Sequence, residues 1–120
     1  MQADNRIFAS RYPREGNLIL FPRDVKERKE LFPDDVFEHP AKMSLCLTQE
    51  LIEYLTKPGD SIIDPFGGTG TTAIGLLMGR NVVLIELETH FLEILTELHK
   101  LWEGKHKQKF YVMAGDCRQV

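Results

Sequence analysis

Nine residues constrain this 120-residue chain more than any others: Asp64-Pro65-Phe66-Gly67-Gly68-Thr69-Gly70-Thr71-Thr72. Ser61-Ile62-Ile63 precedes them, and Ala73-Ile74-Gly75-Leu76-Leu77-Met78 follows. The first run favours extended chain and the second a helix. The glycines between them let the backbone turn sharply and come close to a ligand. A strand that ends in an acid, turns through glycine and enters a helix predicts an α/β crossover. Its ligand loop lies at the carboxyl end of the strand, where a helix start offers unpaired N–H groups.

The rest of the chain repeats that alternation. Ser44 is placed to cap a helix running to about Thr56, with Leu47, Leu51, Ile52 and Leu55 on one face. Lys57-Pro58-Gly59-Asp60 stops it. After the glycine loop comes a helix over about 71–78, which Gly79 closes from the left-handed C′ position. Val82-Val83-Leu84-Ile85 reads as a parallel strand covered on both faces. A helix from about Glu88 to Glu103 then carries Phe91, Leu92, Leu95, Leu98 and Trp102 at helical spacing, and Phe110-Tyr111-Val112-Met113 forms a third strand. The pattern predicts a Rossmann-like α/β fold with a partial parallel sheet of three strands and flanking helices. Residues 1–38 have no sustained periodicity and read as an irregular lead-in to a unit spanning 39–120. Prolines at 13, 22 and 33 exclude long helices there, leaving a strand near 17–21 and a short charged helix near 25–31.

Composition narrows the function. The formal charge is −3, and Lys105-His106-Lys107-Gln108-Lys109 is the only basic cluster, read as a solvated loop between a helix and a strand. No large basic face for gripping phosphates is expected. Cys46 and Cys117 do not make a disulfide framework, and the four histidines lack metal-ligand spacing, so no metal site is expected. His90 and His99 read as helix-surface residues. No apolar run approaches membrane-spanning length and no cationic leader precedes one, which places the chain in the cytoplasm as an expectation.

Three acids, Asp64, Glu86 and Asp116, each follow one of the three strands, at the end where open α/β sheets bind ligands. Each also has an ordinary use, as a turn former or a helix first-turn acid. A carboxylate at the glycine loop would repel a pyrophosphate but suits a ligand carrying an ammonium and a sulfonium, which describes S-adenosylmethionine (SAM). Glu86 follows Asp64 at about the 20-residue interval at which an acid meets ribose hydroxyls. The same spacing, with Gly68-Thr69-Gly70-Thr71-Thr72-Ala73, fits the loose pattern of NAD-binding oxidoreductases, which stays open as an alternative. No Lys follows the glycines, so the loop is not a P-loop.

On these residues the chain resembles the DNA amino-methyltransferases that make N6-methyladenine or N4-methylcytosine. Asp64 through Thr72 is similar to that family's SAM-binding motif nearly letter for letter. His39-Pro40-Ala41-Lys42 resembles the segment before it, and Gly115-Asp116-Cys117 the later segment that holds the adenine. The resemblance implies SAM as cofactor and DNA as partner of the intact enzyme, in the setting of restriction and modification. It implies that Asp64, Pro65, Phe66, the Gly67, Gly68, Thr69 and Gly70 backbone, Thr71 and Thr72 form the loop against the methionine portion. His39, Pro40, Ala41, Lys42 and Met43 would line that side, Glu86 would hold the ribose, and Asp116 with the Cys117 N–H would hold the adenine.

One departure matters more than the matches. The family's catalytic motif is Asp, Asn or Ser followed by Pro-Pro and an aromatic, and none of the six prolines here is adjacent to another. No catalytic residue is therefore assigned. The expectation is a SAM-binding half, truncated or completed by another chain, and inactive alone. A non-catalytic SAM-binding subunit and an RNA methyltransferase remain alternatives. In a complete doubly wound sheet the 61–64 strand would be central. Here it is expected at an open edge, where it pairs with a second copy as a homodimer, is shielded by residues 1–38, or lacks a natural neighbour.

Overall fold

The computed structural model describes residues 7–8, 12–38 and 42–119. Toward the N-terminus, β1 (Arg14–Glu15) and β2 (Leu18–Ile19) form a small antiparallel hairpin that turns at Gly16. Helix α1 (Val25–Leu31), a 3-10 turn (Asp34–Glu38) and α2 (Leu45–Leu55) follow. Then come β3 (Ser61–Asp64), a 3-10 turn (Thr71–Ala73) with α3 (Ile74–Leu77), β4 (Asn81–Glu86), α4 (Thr89–Trp102) and β5 (Phe110–Ala114). A last 3-10 turn spans Cys117–Gln119.

The three later strands form one parallel sheet in the order β3-β4-β5, the α/β architecture the alternation predicts. Its register pairs Ser61 with Asn81, Asp64 with Leu84 and Glu86 with Ala114. Side chains alternate between faces along a strand, and paired residues share a face. Ile62, Val82, Phe110, Leu84 and Val112 therefore share one face, and all belong to the core or pack against it, together with Ile74, Leu76 and Met78 around α3 and Leu95, Leu98 and Trp102 of α4. Gly75 allows α3 to lie this close: a Cβ there would meet Ile62 at 2.9 Å and Val82 at 3.2 Å.

The opposite face corrects the expectation of a sheet covered on both sides. Ile63, Val83 and Tyr111 share it, as do Ile85 and Met113. Ile63 is 65%, Tyr111 53% and Met113 45% exposed. Both crossovers run between consecutive neighbouring strands, so their helices stack on a single face and leave most of the other uncovered, although Ile85 on that face is buried. β3 is also an edge. Among the described residues no strand from 1–38 joins it, so strand pairing from the lead-in does not shield it.

Helix α2 is capped by Ser44, whose hydroxyl accepts from the Leu47 N–H at 3.2 Å, as predicted. Its buried face differs from the predicted one. Leu45, Cys46, Thr48, Gln49 and Ile52 are buried, while Leu51 and Leu55 are exposed. Gln49 belongs inside because its side-chain oxygen accepts from the Ile7 and Phe8 N–H groups at 2.7 and 2.9 Å. A periodicity that counts apolar residues misses such a satisfied amide. His99 is likewise half-buried rather than a free surface residue, with its ring Nε2 2.9 Å from the Phe110 carbonyl.

Residues 24–38 pack into the core. Phe32 and Val36 are buried, the Phe32 ring lies 5.4 Å from Trp102, and the Trp102 indole donates to the Leu31 carbonyl at 3.0 Å. Asp24 accepts from the Leu45 N–H at 2.7 Å and from Arg28 at 2.9 Å, fastening α1 to the start of α2. Burial raises the Asp24 pKa, but the Leu45 N–H and the Arg28 guanidinium outweigh it and hold the carboxyl below its ordinary value. A depressed folded-state pKa contributes stability that is complete above the unfolded value and fades as pH falls through the folded one. Thermal melts taken from about pH 5 down to about pH 3 should show a falling Tm, a pH range set by ordinary carboxylate titration. Asp24→Asn should be less stable near neutrality and should lose part of that acid-side slope.

Candidate functional site

The carboxyl ends of the three strands bring the sequence-predicted acids to one side of the sheet. Asp64 ends β3, Glu86 ends β4, and Asp116 lies two residues beyond β5. The glycine loop between β3 and α3 crosses the end of β4. The Gly67 N–H donates to the Ile85 carbonyl at 2.8 Å, and the Gly68 N–H donates to the Glu86 carboxylate at 2.8 Å. A Cβ on Gly67 would lie 2.9 Å from Leu95 and 3.2 Å from Leu84, so glycine is required for the loop to lie down on the strand. Gly70 has φ +92°, and a Cβ there would meet Leu98 at 2.6 Å. Backbone conformation and packing both reserve the position for glycine.

Each of the first two acids is oriented by two donors. Asp64 accepts from the Phe66 N–H at 2.9 Å and from the Thr72 hydroxyl at 2.6 Å. Glu86 accepts from Gly68 and, through its other oxygen, from the Glu88 N–H at 2.9 Å. An ionised carboxylate offers about four acceptor sites, so each retains capacity for a ligand's donors. The loop's N–H groups are different. Those of Phe66, Gly67, Gly68 and Gly70 already donate inside the protein, the last to the Gly67 carbonyl at 2.9 Å. Four of the loop's N–H groups are thus spent within the protein, whereas those of Thr69, Thr71 and Thr72, which border the first cleft, are not among them.

Two clefts adjoin this loop. One, of about 280 Å³, is bounded by Lys42, Met43, Asp64, the glycine loop and the hydroxyl-bearing Thr69, Thr71 and Thr72. The other, of about 310 Å³ and mostly apolar, is bounded by Pro65, Glu86, Leu87, Gly115, Cys117 and the Asp116–Arg118 pair. Phe66, 77% exposed, borders both. The structure thus brings Lys42, Met43, Asp64, Phe66, Gly67, Gly68, Thr69, Thr71 and Thr72 together in one cleft and Pro65, Glu86, Asp116 and Cys117 in the next, while Gly70 borders neither. His39, Pro40 and Ala41 lie outside the described residues.

The helix after the loop is shorter than predicted: a 3-10 turn and four α-helical residues, Ile74–Leu77. Its N-terminus supplies correspondingly little field for an anion.

Two contributions escaped the sequence reading. Arg118 pairs with Asp116 through both carboxylate oxygens and holds that carboxyl below its ordinary pKa. Arg28, buried in α1, donates to the Thr71 hydroxyl at 3.0 Å. The Asp24–Arg28 spacing of four residues was a visible signal for an ion pair but not for its burial. Among the described residues no cluster of His, Cys, Asp and Glu is arranged to hold a metal ion, and no helix is long and apolar enough to cross a membrane.

Comparison with known proteins gives the same region a family. Residues 9–97 match a family model described as DNA methylase, N6_N4_Mtase. The chain is 37% identical over 76 residues to the type II methyltransferase M.BglI of Bacillus subtilis, covering 62% of this chain and 20% of that protein. It is 39% identical over 77 residues to the type II methyltransferase M2.MboI of Moraxella bovis, covering 60% of this chain and 28% of that protein. The chain thus spans between a fifth and under a third of the length of these curated relatives.

The Glu86 latch generates a direct test. In Glu86→Gln the amide NH₂ must face either Gly68 or Glu88, so one backbone N–H loses its acceptor. The change should cost roughly 1 kcal/mol in a denaturant titration and speed hydrogen exchange at one of the two amides. Unchanged exchange at both would show that the carboxylate does not hold the loop.

Proposed function

The chain belongs to the DNA methylase family of amino-nitrogen methyltransferases, and from that membership we propose that residues 39–120 form its SAM-binding half. In this reading the first cleft takes the methionine end, against Asp64, the glycine loop, Met43 and Lys42. Glu86 accepts from the ribose hydroxyls, and Asp116 with the Cys117 N–H takes the adenine edge in the second cleft.

The donor set of the loop is the observation that carries the reading. Four loop N–H groups are spent on protein acceptors while Asp64 and Glu86 keep acceptor capacity. A dinucleotide's pyrophosphate would meet the negative charge of both carboxylates beside the loop. A ligand with an ammonium, a sulfonium and ribose hydroxyls finds complementary charge and acceptors. This favours SAM over the nicotinamide alternative that the loose glycine spacing allows.

When bound, SAM supplies a sulfonium methyl, and its transfer to an exocyclic amino nitrogen of adenine or cytosine needs neither a covalent base adduct nor a metal. This chain's residues bind and orient. The polar Pro-Pro-aromatic motif that would hold the target amino group is not among them. We assign that step, and DNA reading, to the rest of the enzyme, whether on a longer polypeptide or a partner chain. The bare sheet face with Ile63, Tyr111 and Met113 supports such a complement, since parallel sheets are ordinarily buried on both faces.

Calorimetric titration should give binding of SAM and S-adenosylhomocysteine and none of NAD. Asp64→Ala or Glu86→Ala should each weaken SAM by about 1.5–3 kcal/mol, the worth of a hydrogen bond to a charged group. A DNA methylation assay on the 120-residue chain alone should be negative. NAD binding in place of SAM would overturn the cofactor assignment, and turnover by the isolated chain would overturn the division of labour.

A further inference from the structure

Arg28 lies on α1, outside the segments that line the first cleft, yet its guanidinium joins three parts of the chain. One terminal nitrogen donates to the Thr71 hydroxyl at 3.0 Å. The other donates to Asp24 at 2.9 Å and to the Met43 carbonyl at 2.8 Å. The side chain is 1% exposed, and its charged end lies 5.7 Å over the Phe32 ring. Phe32 in turn underlies the loop, lying 3.8 Å from where a Gly70 Cβ would be.

Burying a guanidinium is costly, and an apolar residue of similar size would fill the space with less penalty. The arginine's specific contribution is geometric: a planar fork reaches three acceptors at fixed angles, which a lysine ammonium cannot reproduce. Two of its partners, Met43 and Thr71, are residues that line the first cleft, one on each side of the glycine loop in the chain. Asp24 completes the arrangement by accepting from Leu45, two residues after Met43.

We propose that Arg28, oriented by Asp24, is a positioning residue for the cofactor's amino-acid end: it sets the distance between the 43–45 segment and Thr71, and so the width of the first cleft. This rests on the SAM reading of that cleft. Residues 24–32 are then part of the cofactor site from behind, and no ligand contact by Arg28 itself is involved. The second cleft shares only Phe66 with the first, and none of its lining residues bonds to Arg28.

The test compares two ligands by competition binding: SAM, and 5′-methylthioadenosine, which keeps the adenosine and thioether but lacks the amino-acid end. Arg28→Lys should weaken SAM by about tenfold, as expected for one lost charged hydrogen bond, and leave methylthioadenosine unchanged. In a Thr71→Val background the Arg28→Lys effect on SAM should shrink but not vanish, because both changes remove the Arg28–Thr71 bond while only Arg28→Lys disturbs the bond to Met43. Equal weakening of both ligands would assign Arg28 to general stability and overturn the proposal. So would unchanged SAM affinity in the folded variant. Should Arg28→Lys not fold, Thr71→Ser must retain SAM affinity and Thr71→Val lose it, and equal behaviour of the pair counts against the clamp. If the unmodified chain binds no SAM, the cofactor reading itself fails and takes the proposal with it.

Discussion

The contact between the glycine loop and the end of β4 organises everything else at this end of the molecule. Gly67 and Gly68 donate to the Ile85 carbonyl and the Glu86 carboxylate. These bonds form because the parallel register extends β4 two residues past the level of Asp64. They close the loop over the strand, bury Gly67 against Leu84 and Leu95, and leave two carboxylates with acceptor capacity at the mouth of the sheet. Charge complementarity toward a cationic ligand follows from that geometry. A loop with the same glycine count but without the two carboxylates would favour an anion instead.

The fold is one-sided. Three neighbouring parallel strands connected in order place their helices on one face, and α1, α2, α3 and α4 supply a core on that side alone. The exposed Ile63, Tyr111 and Met113 and the open β3 edge are consequences of this topology. β3, which carries Ile63, is the strand that would be central in a complete doubly wound sheet, whereas Tyr111 and Met113 lie on β5 at the other edge. The proposed complement to this chain rests on that exposed face and open edge.

Much of this was legible in the residues, and the exceptions have a common cause. Strands, caps and stops were readable because they rest on local chemistry: Ser44 at an N-cap, Gly79 at positive φ, the apolar runs at 62–63 and 82–85. The placement of Asp64, Glu86 and Asp116 at one end of the sheet followed from the parallel topology, although Asp64 borders one cleft and Glu86 and Asp116 the next. What was hidden depends on tertiary contacts. Gln49 is buried because two distant backbone N–H groups need its oxygen, and Arg28 because Thr71 and Met43 approach it from elsewhere in the chain. Apolar periodicity cannot register polar residues that are buried because they are satisfied. The bare sheet face was missed for another reason: an apolar run such as 82–85 reads the same whether one or both of its faces are covered.

Backbone amide chemical shifts followed through a SAM titration test the central claim most directly. Perturbations should concentrate at Phe66–Thr72, at Glu86–Glu88 and around Asp116–Arg118, with inorganic pyrophosphate leaving the same amides unmoved. Pyrophosphate-induced shifts along the glycine loop, or SAM-induced shifts confined to other parts of the chain, would contradict it.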